Sequence, residues 1–199
     1  MIIGITGGIG SGKSLIAKQL RQMGYAVYDT DSEAKRLIVE DTTVREQMTA
    51  LFGEEVYQDG IYQTSFVAQQ VFADKNLLAK LNAIVHPAVK ADIISKFRSL
   101  GVIAEPINSD SDLFFIECAI LFQAGFDVLC DKVVVVTAPE DIRLERVIAR
   151  DHSDMNRVRA RMRAQEAEKD LARADIVINN DGTTPIPTLC EEIIHLLTK

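Results

Sequence analysis

The sequence predicts an α/β fold in which a parallel five-stranded sheet is flanked by helices, with a helical insertion between its second and third strands. Three observations predict it. Short apolar runs alternate with helical patterns, and Lys132–Thr137 contains four consecutive valines, as a strand covered on both faces does. Residues 32–100 show helical periodicity and no convincing strand. At 199 residues, 47% hydrophobic and 26% charged, the chain is globular and can bury a core without disulfides or a structural metal.

Residues 1–6 read as a buried strand that enters a glycine-rich turn at 7–12. A helix over 13–23 follows, with Leu15, Ile16 and Leu20 on one side and Gly24 as its stop. Ala26–Asp29 is a second short strand. Within the insertion, short helices are expected near 32–39 and 65–73. A longer one carries Leu77, Leu78, Leu81, Ile84 and Val85 up to His86, and Pro87 should kink or restart it. Residues 101–112, with Pro106 and the polar run 108–112, form a connector back to the sheet. Strands at 113–116, 132–137 and 176–178 complete that sheet, and helices at 141–150 and 187–197 cover it.

The formal net charge is −7, and all of that excess lies in residues 101–199. Such a balance argues against a general nucleic-acid binder. Residues 143–163 nevertheless hold seven arginines against Glu145, Asp151 and Asp154, which suggests an anionic partner. Cys118, Cys130 and Cys190 are spaced for neither a disulfide framework nor a zinc site and read as small buried hydrophobes in a reducing cytosol. The apolar stretch 113–126 is interrupted by Glu117 and falls short of the ~20 residues of a spanning helix. No secretory leader pattern opens the sequence. The expectation is a cytoplasmic protein with no membrane partner.

Gly7-Gly8-Ile9-Gly10-Ser11-Gly12-Lys13-Ser14 satisfies G-x-x-x-x-G-K-S between a strand and a helix. Glycines let backbone amides turn inward around a phosphate, and the helix presents its positive end to the same anion. Lys13 can then reach the β- and γ-phosphates, and the Ser14 hydroxyl can ligate Mg²⁺. Asp29 and Asp31 sit where the second strand ends. In extended chain their carboxylates would point the same way, an arrangement that asks for a cation or a proton between them. Asp31, one step further on, is the expected base for an acceptor hydroxyl, and Asp29 the expected organiser of Mg²⁺ through water. Arg143, Arg146 and Arg150 fall on one helix face, followed by Arg157, Arg159, Arg161 and Arg163. Guanidinium forks of this kind bind phosphate oxygens and neutralise charge that develops in phosphoryl transfer. A GTP-binding switch would need N-K-x-D and D-x-x-G sequences, and neither occurs.

The set T-G-G-I-G-S-G-K-S at 6–14, D-T-D at 29–31, L-N-A-I-V-H-P at 81–87, R-M-R-A-Q at 161–165 and A-D-I-V-I-N-N-D-G at 174–182 resembles the dephospho-CoA kinase family. The resemblance implies transfer of phosphate from magnesium ATP to the 3′-hydroxyl of dephospho-CoA, the last step of coenzyme A synthesis. It implies a core of 1–31 and 113–199, a CoA-side helical domain and connector of 32–112, and a lid at about 150–167. By position, Gly8, Gly10, Ser11, Gly12, Lys13, Ser14 and Leu15 would hold the ATP phosphates, and Asn180 would lie by the adenine. Lys13, Asp31 and Arg150 would be catalytic, and Asp29, Asp31, His86 and Arg161 would meet the acceptor. A monomer is expected, and a kinase of nucleoside monophosphates or shikimate is the nearest alternative. The chain departs from the family at 119–123, where A-I-L-F-Q replaces the usual P-L-L-F-E, and at Leu15, where threonine is usual. Its connector also looks longer than expected.

Overall fold

A computed structural model describes residues 1–100, 113–152, 154–164 and 171–199. The expected connector at 101–112, and the end of the expected lid with Gln165, lie outside the described residues. The chain divides into two compact units, one of Met1–Asp29 with Ala104–Lys199 and one of Thr30–Ile103.

The first unit is built on β1 (Ile2–Thr6), α1 (Lys13–Gln22) and β2 (Ala26–Asp29). After the second unit come β5 (Phe114–Glu117), β6 (Lys132–Thr137), α6 (Glu140–Asp151), α7 (Met155–Ala164), β7 (Ile176–Asn179) and α8 (Ile186–Leu197). The five strands are parallel, in the order β2-β5-β1-β6-β7. The chain leaves β1 toward one edge and returns through β5 to build the other. The loop after β1 therefore opens at the carboxyl edge where the winding reverses, the usual place for a ligand in such sheets. Val133–Val136 are all buried, as the valine run predicts. One face packs Ile3, Ile5, Phe115, Val134, Val136 and Ile178 against Ile16 and Leu20 of α1 and Leu189, Cys190 and Ile193 of α8. No helix among the described residues is long and apolar enough to cross a membrane.

Cys118 and Cys190 are buried as expected, whereas Cys130 is half-buried. Burial, reinforced by the charges of Asp127 and Asp131, pushes the Cys130 thiol up to about 12. Burial and Glu191 push Cys190 to about 11. Both stay protonated and unreactive at neutral pH.

The second unit contains α2 (Thr30–Glu40), α3 (Thr42–Phe52), β3 (Tyr57–Gln58), β4 (Ile61–Tyr62), α4 (Thr64–Ala73) and α5 (Lys75–Ser99). It corrects the expectation of a strand-free insertion. Tyr57–Gln58 and Ile61–Tyr62 pair antiparallel around Asp59 and Gly60, whose φ values of 51° and 81° make the left-handed two-residue turn that Asp-Gly favours. The helix α3 also went unread, although Asp41 caps it by accepting from Val44 N at 2.9 Å and Gly53 ends it.

The long helix corrects a second expectation, because α5 runs unbroken through Pro87. Pro87 lies on the exposed side, where the carbonyl one turn earlier can turn to water, while Val85, Val89 and Ile93 anchor the other side. His86 is therefore mid-helix rather than at a helix end. Charged side chains clamp α2 to α5. Arg36 donates to Glu33 at 2.6 Å and to Asp92 at 2.9 Å, and Lys96 donates to Glu33. Burial pushes the Glu33 carboxyl up, but the hydrogen bonds of Lys96 and Arg36 outweigh it and leave the group below its ordinary range.

His86 is half-buried, and burial holds its pKa below the usual 6.5. The unfolded chain then takes up a proton before the folded one does, so this contribution is intact above that range and is lost as the pH falls through it. In urea titrations the wild-type midpoint should fall between about pH 7 and pH 5, and His86→Gln should flatten that part of the profile. An unchanged slope in the variant would show that His86 does not titrate in this way.

Candidate active site

The loop from β1 to α1 is held by contacts that leave Gly7, Gly10 and Gly12 no room for a side chain. A Cβ at Gly7 would meet the Val136 carbonyl, and one at Gly10 would lie 2.5 Å from the Arg143 carbonyl oxygen. Gly12 caps α1 in the left-handed region at φ 92°, with the Asn180 amide against it. Leu15 N and Ile16 N donate to the Gly12 carbonyl at 3.0 and 3.2 Å, so the helix begins at Lys13. Its first turn presents free amides and a partial positive charge at the carboxyl edge of the sheet, as an anion requires.

Asn180 follows β7 directly and is buried. Its Nδ2 donates to the Ser11 carbonyl at 2.8 Å. Arg146 Nη1 donates to the Asn180 carbonyl at 2.9 Å and to the Gly10 carbonyl at 3.5 Å. These contacts fasten the phosphate loop to α6 and to the last strand. Ile9, at the loop tip, packs on Leu144, Val147, Val158 and Met162 of α6 and α7. Among the described residues, the buried hydroxyls of Thr6 and Ser11 have no hydrogen-bond partner.

Asp29 ends β2 and is 4.0 Å from Arg21 Nη2 of α1. The paired-carboxylate geometry expected for Asp29 and Asp31 is corrected. The backbone turns helical at Thr30, so Asp31 is an exposed residue in the first turn of α2 and the two do not share one extended strand. The early helix start decides this, because period-two alternation ends where the strand does.

The arginines sort themselves by partner. Arg150 Nε and Nη2 donate to the two oxygens of Asp151 at 2.6 and 3.1 Å, and Arg161 Nη1 reaches the same carboxylate at 3.3 Å. The hydrogen bond from Arg150, with further help from Arg161, lowers the Asp151 pKa to about 2. The two arginines expected to meet phosphates are thus gathered on one half-buried carboxylate. Arg146, by contrast, holds the loop.

Sequence reading missed Glu117. In the sequence it stands only as an interruption of an apolar stretch, and the expected strand ends at 116. In fact β5 includes Glu117, which is buried and accepts from Ser14 Oγ at 3.0 Å. A carboxylate ending a fully apolar strand beside a phosphate loop was the available signal. The Ser14 hydroxyl and the Glu117 carboxyl are hard oxygen donors of the kind that magnesium prefers, and Asp29 is the register partner of Glu117 on the neighbouring strand.

Gly12→Ala should displace the Asn180 amide and strain the loop, lowering ADP affinity at least about tenfold in calorimetry while the circular dichroism spectrum is kept. Wild-type affinity in this variant would mean that the loop does not hold the nucleotide.

The dephospho-CoA kinase family model matches residues 1–185. A dephospho-CoA kinase of Porphyromonas gingivalis is 46% identical over 99% of this chain and 95% of that protein. A crystal structure of TT1252 from Thermus thermophilus superposes with a TM-score of 0.79 at 34% identity, covering 100% of this chain and 96% of that one. Shikimate kinase from Acinetobacter baumannii, at 16% identity and a TM-score of 0.58 over 99% of this chain and 92% of its own, shares the fold alone. With its phosphate loop intact and the match running from the first strand into the last turn, the chain belongs to the dephospho-CoA kinase family.

Proposed function

We propose that the chain phosphorylates the ribose 3′-hydroxyl of dephospho-CoA with ATP, yielding coenzyme A and ADP, and that Lys13, Ser14, Asp29 and Asp31 divide the work. The carrying observation is the loop of Gly7–Ser14, pinned by Asn180 and Arg146 at the carboxyl edge of the sheet, in a chain matched to this family over residues 1–185.

The loop amides and the start of α1 hold the β-phosphate, and the Lys13 ammonium neutralises charge that builds on the transferring group. Ser14 and Asp29 are the residues proposed to hold magnesium, which would supply positive charge beside the phosphates. The acceptor oxygen forms a bond to the γ-phosphorus as the bond to the ADP oxygen breaks. Asp31 takes the hydroxyl proton. Arg150 and Arg161 would exchange Asp151 for substrate phosphates, a swap that their exposure permits. His86 would contact the acceptor, and Asn180 would lie by the adenine.

A coupled ADP-release assay with dephospho-CoA, AMP, CMP and shikimate as acceptors tests this reading. Turnover should appear with dephospho-CoA, and preference for another acceptor would overturn it. Lys13→Ala should cost at least about 10²-fold in kcat. A variant retaining more than about a tenth of the rate would mean the ammonium is not catalytic.

Asp31→Asn keeps size and hydrogen bonding but cannot accept the proton. It should lower kcat by at least about 10²-fold while ADP binding is nearly unchanged. Asp29→Asn should instead raise the magnesium requirement. An exchange of these two phenotypes would reverse the assignment.

A further inference from the structure

We infer that Asp151 is an internal competitor for substrate phosphate: its carboxylate takes the guanidinium edges that a phosphate would use, and so sets the affinity for substrate. The inference rests on the proposed role of Arg150 and Arg161 as phosphate ligands. It goes beyond that role, because it assigns control of affinity to a carboxylate that itself binds no substrate.

The position of Asp151 is one that a helix does not favour. It is the last residue of α6, where the helix dipole places partial negative charge and a carboxylate is unfavourable. Arg150 complements that end of the helix, and Asp151 does not. The chain then turns at His152 in the left-handed region, at φ 48°, which is uncommon for residues other than glycine. Asp154, three residues beyond Asp151, has a different task. Its Oδ1 caps α7 by accepting from Asn156 N at 2.9 Å and Arg157 N at 3.3 Å. Helix capping therefore accounts for Asp154, whereas the partners that account for Asp151 are guanidinium groups.

The geometry of those contacts is that of phosphate binding. Arg150 presents Nε and Nη2 to the two oxygens of Asp151 at 2.6 and 3.1 Å. That edge of a planar guanidinium is a two-pronged donor, and a phosphate engages it with two oxygens just as a carboxylate does. Arg161, ten residues further along the chain, adds Nη1 to the same Oδ2 at 3.3 Å. Two cations repel unless an anion lies between them, so one carboxylate keeps the pair together across α6 and α7. The hydrogen bond from Arg150 above all holds that carboxylate ionised, with its pKa down at about 2. Both arginines are open to solvent, with side chains 64% and 51% exposed, so an incoming anion can reach them. Ion pairs this exposed are individually weak, and a phosphate, with more charge and more acceptor oxygens, can replace the carboxylate.

Binding of a non-hydrolysable ATP analogue with Mg²⁺, and separately of dephospho-CoA, is measured by calorimetry at one fixed ionic strength. Arg150→Gln combined with Arg161→Gln shows which ligand the two arginines serve. For that ligand, Asp151→Asn, which keeps the shape and removes the charge, should tighten binding about three- to tenfold. Two controls separate competition from a general change in charge. Glu145→Gln removes the same charge from the same helix and should leave affinity within about twofold. In the variant lacking both arginines, Asp151→Asn should change nothing further, because its partners are gone.

A gain confined to Asp151→Asn, and dependent on both arginines, supports the inference. Unchanged or weakened binding in Asp151→Asn would overturn it, since that is what a merely structural bridge between α6 and α7 predicts. An equal gain in Glu145→Gln, or a gain that persists without the two arginines, would overturn it as well. If loss of both arginines weakens neither ligand, their proposed phosphate role falls first, and the inference falls with it.

Discussion

The fit of the β1–α1 loop into the carboxyl edge of the sheet is the constraint on which the rest of the site depends. Val136 of β6 leaves no room at Gly7, Arg143 of α6 none at Gly10, and Asn180 after β7 none at Gly12. Strands and helices separated by more than a hundred residues thus shape one short loop. A phosphate-binding loop has to aim amide donors at an anion before the anion arrives, and it can do so only if its carbonyls are already occupied elsewhere. Asn180 occupies that of Ser11 and Arg146 that of Gly10.

Glu117 illustrates how one strand serves both core and chemistry. Its neighbours in the row build the apolar layer under α1, and the same helix then carries Ser14 out to the edge. Packing of Ile16 and Leu20 against the sheet fixes where Ser14 stands. The distance of 3.0 Å between hydroxyl and carboxyl is therefore a product of core packing rather than of the loop alone.

In the second unit, charged pairs add to the apolar packing that joins its helices. Glu33, Arg36, Asp92 and Lys96 join α2 to α5 over partly exposed surface. A network of this kind holds geometry better than an isolated exposed pair. It anchors the helix whose first turn bears Asp31.

The sequence by itself determined the order of the five sheet strands along the chain, the phosphate loop and the helix that follows it. Those features rest on local rules: apolar runs of strand length, glycines where no side chain fits, and helical spacing. It also contained the Asp-Gly turn and the Asp41 cap, local signals that stood between weakly apolar segments and were passed over. Tertiary structure alone decided the rest. Pro87 stays inside a helix because one side of α5 is anchored and the other meets water, which periodicity cannot show. Asp29 and Asp31 part because the strand yields to a helix at Thr30. Glu117 meets Ser14, and Asn180 meets Ser11, across 103 and 169 residues of chain. Such meetings depend on which strands become neighbours in the sheet, and no local pattern in the chain encodes that.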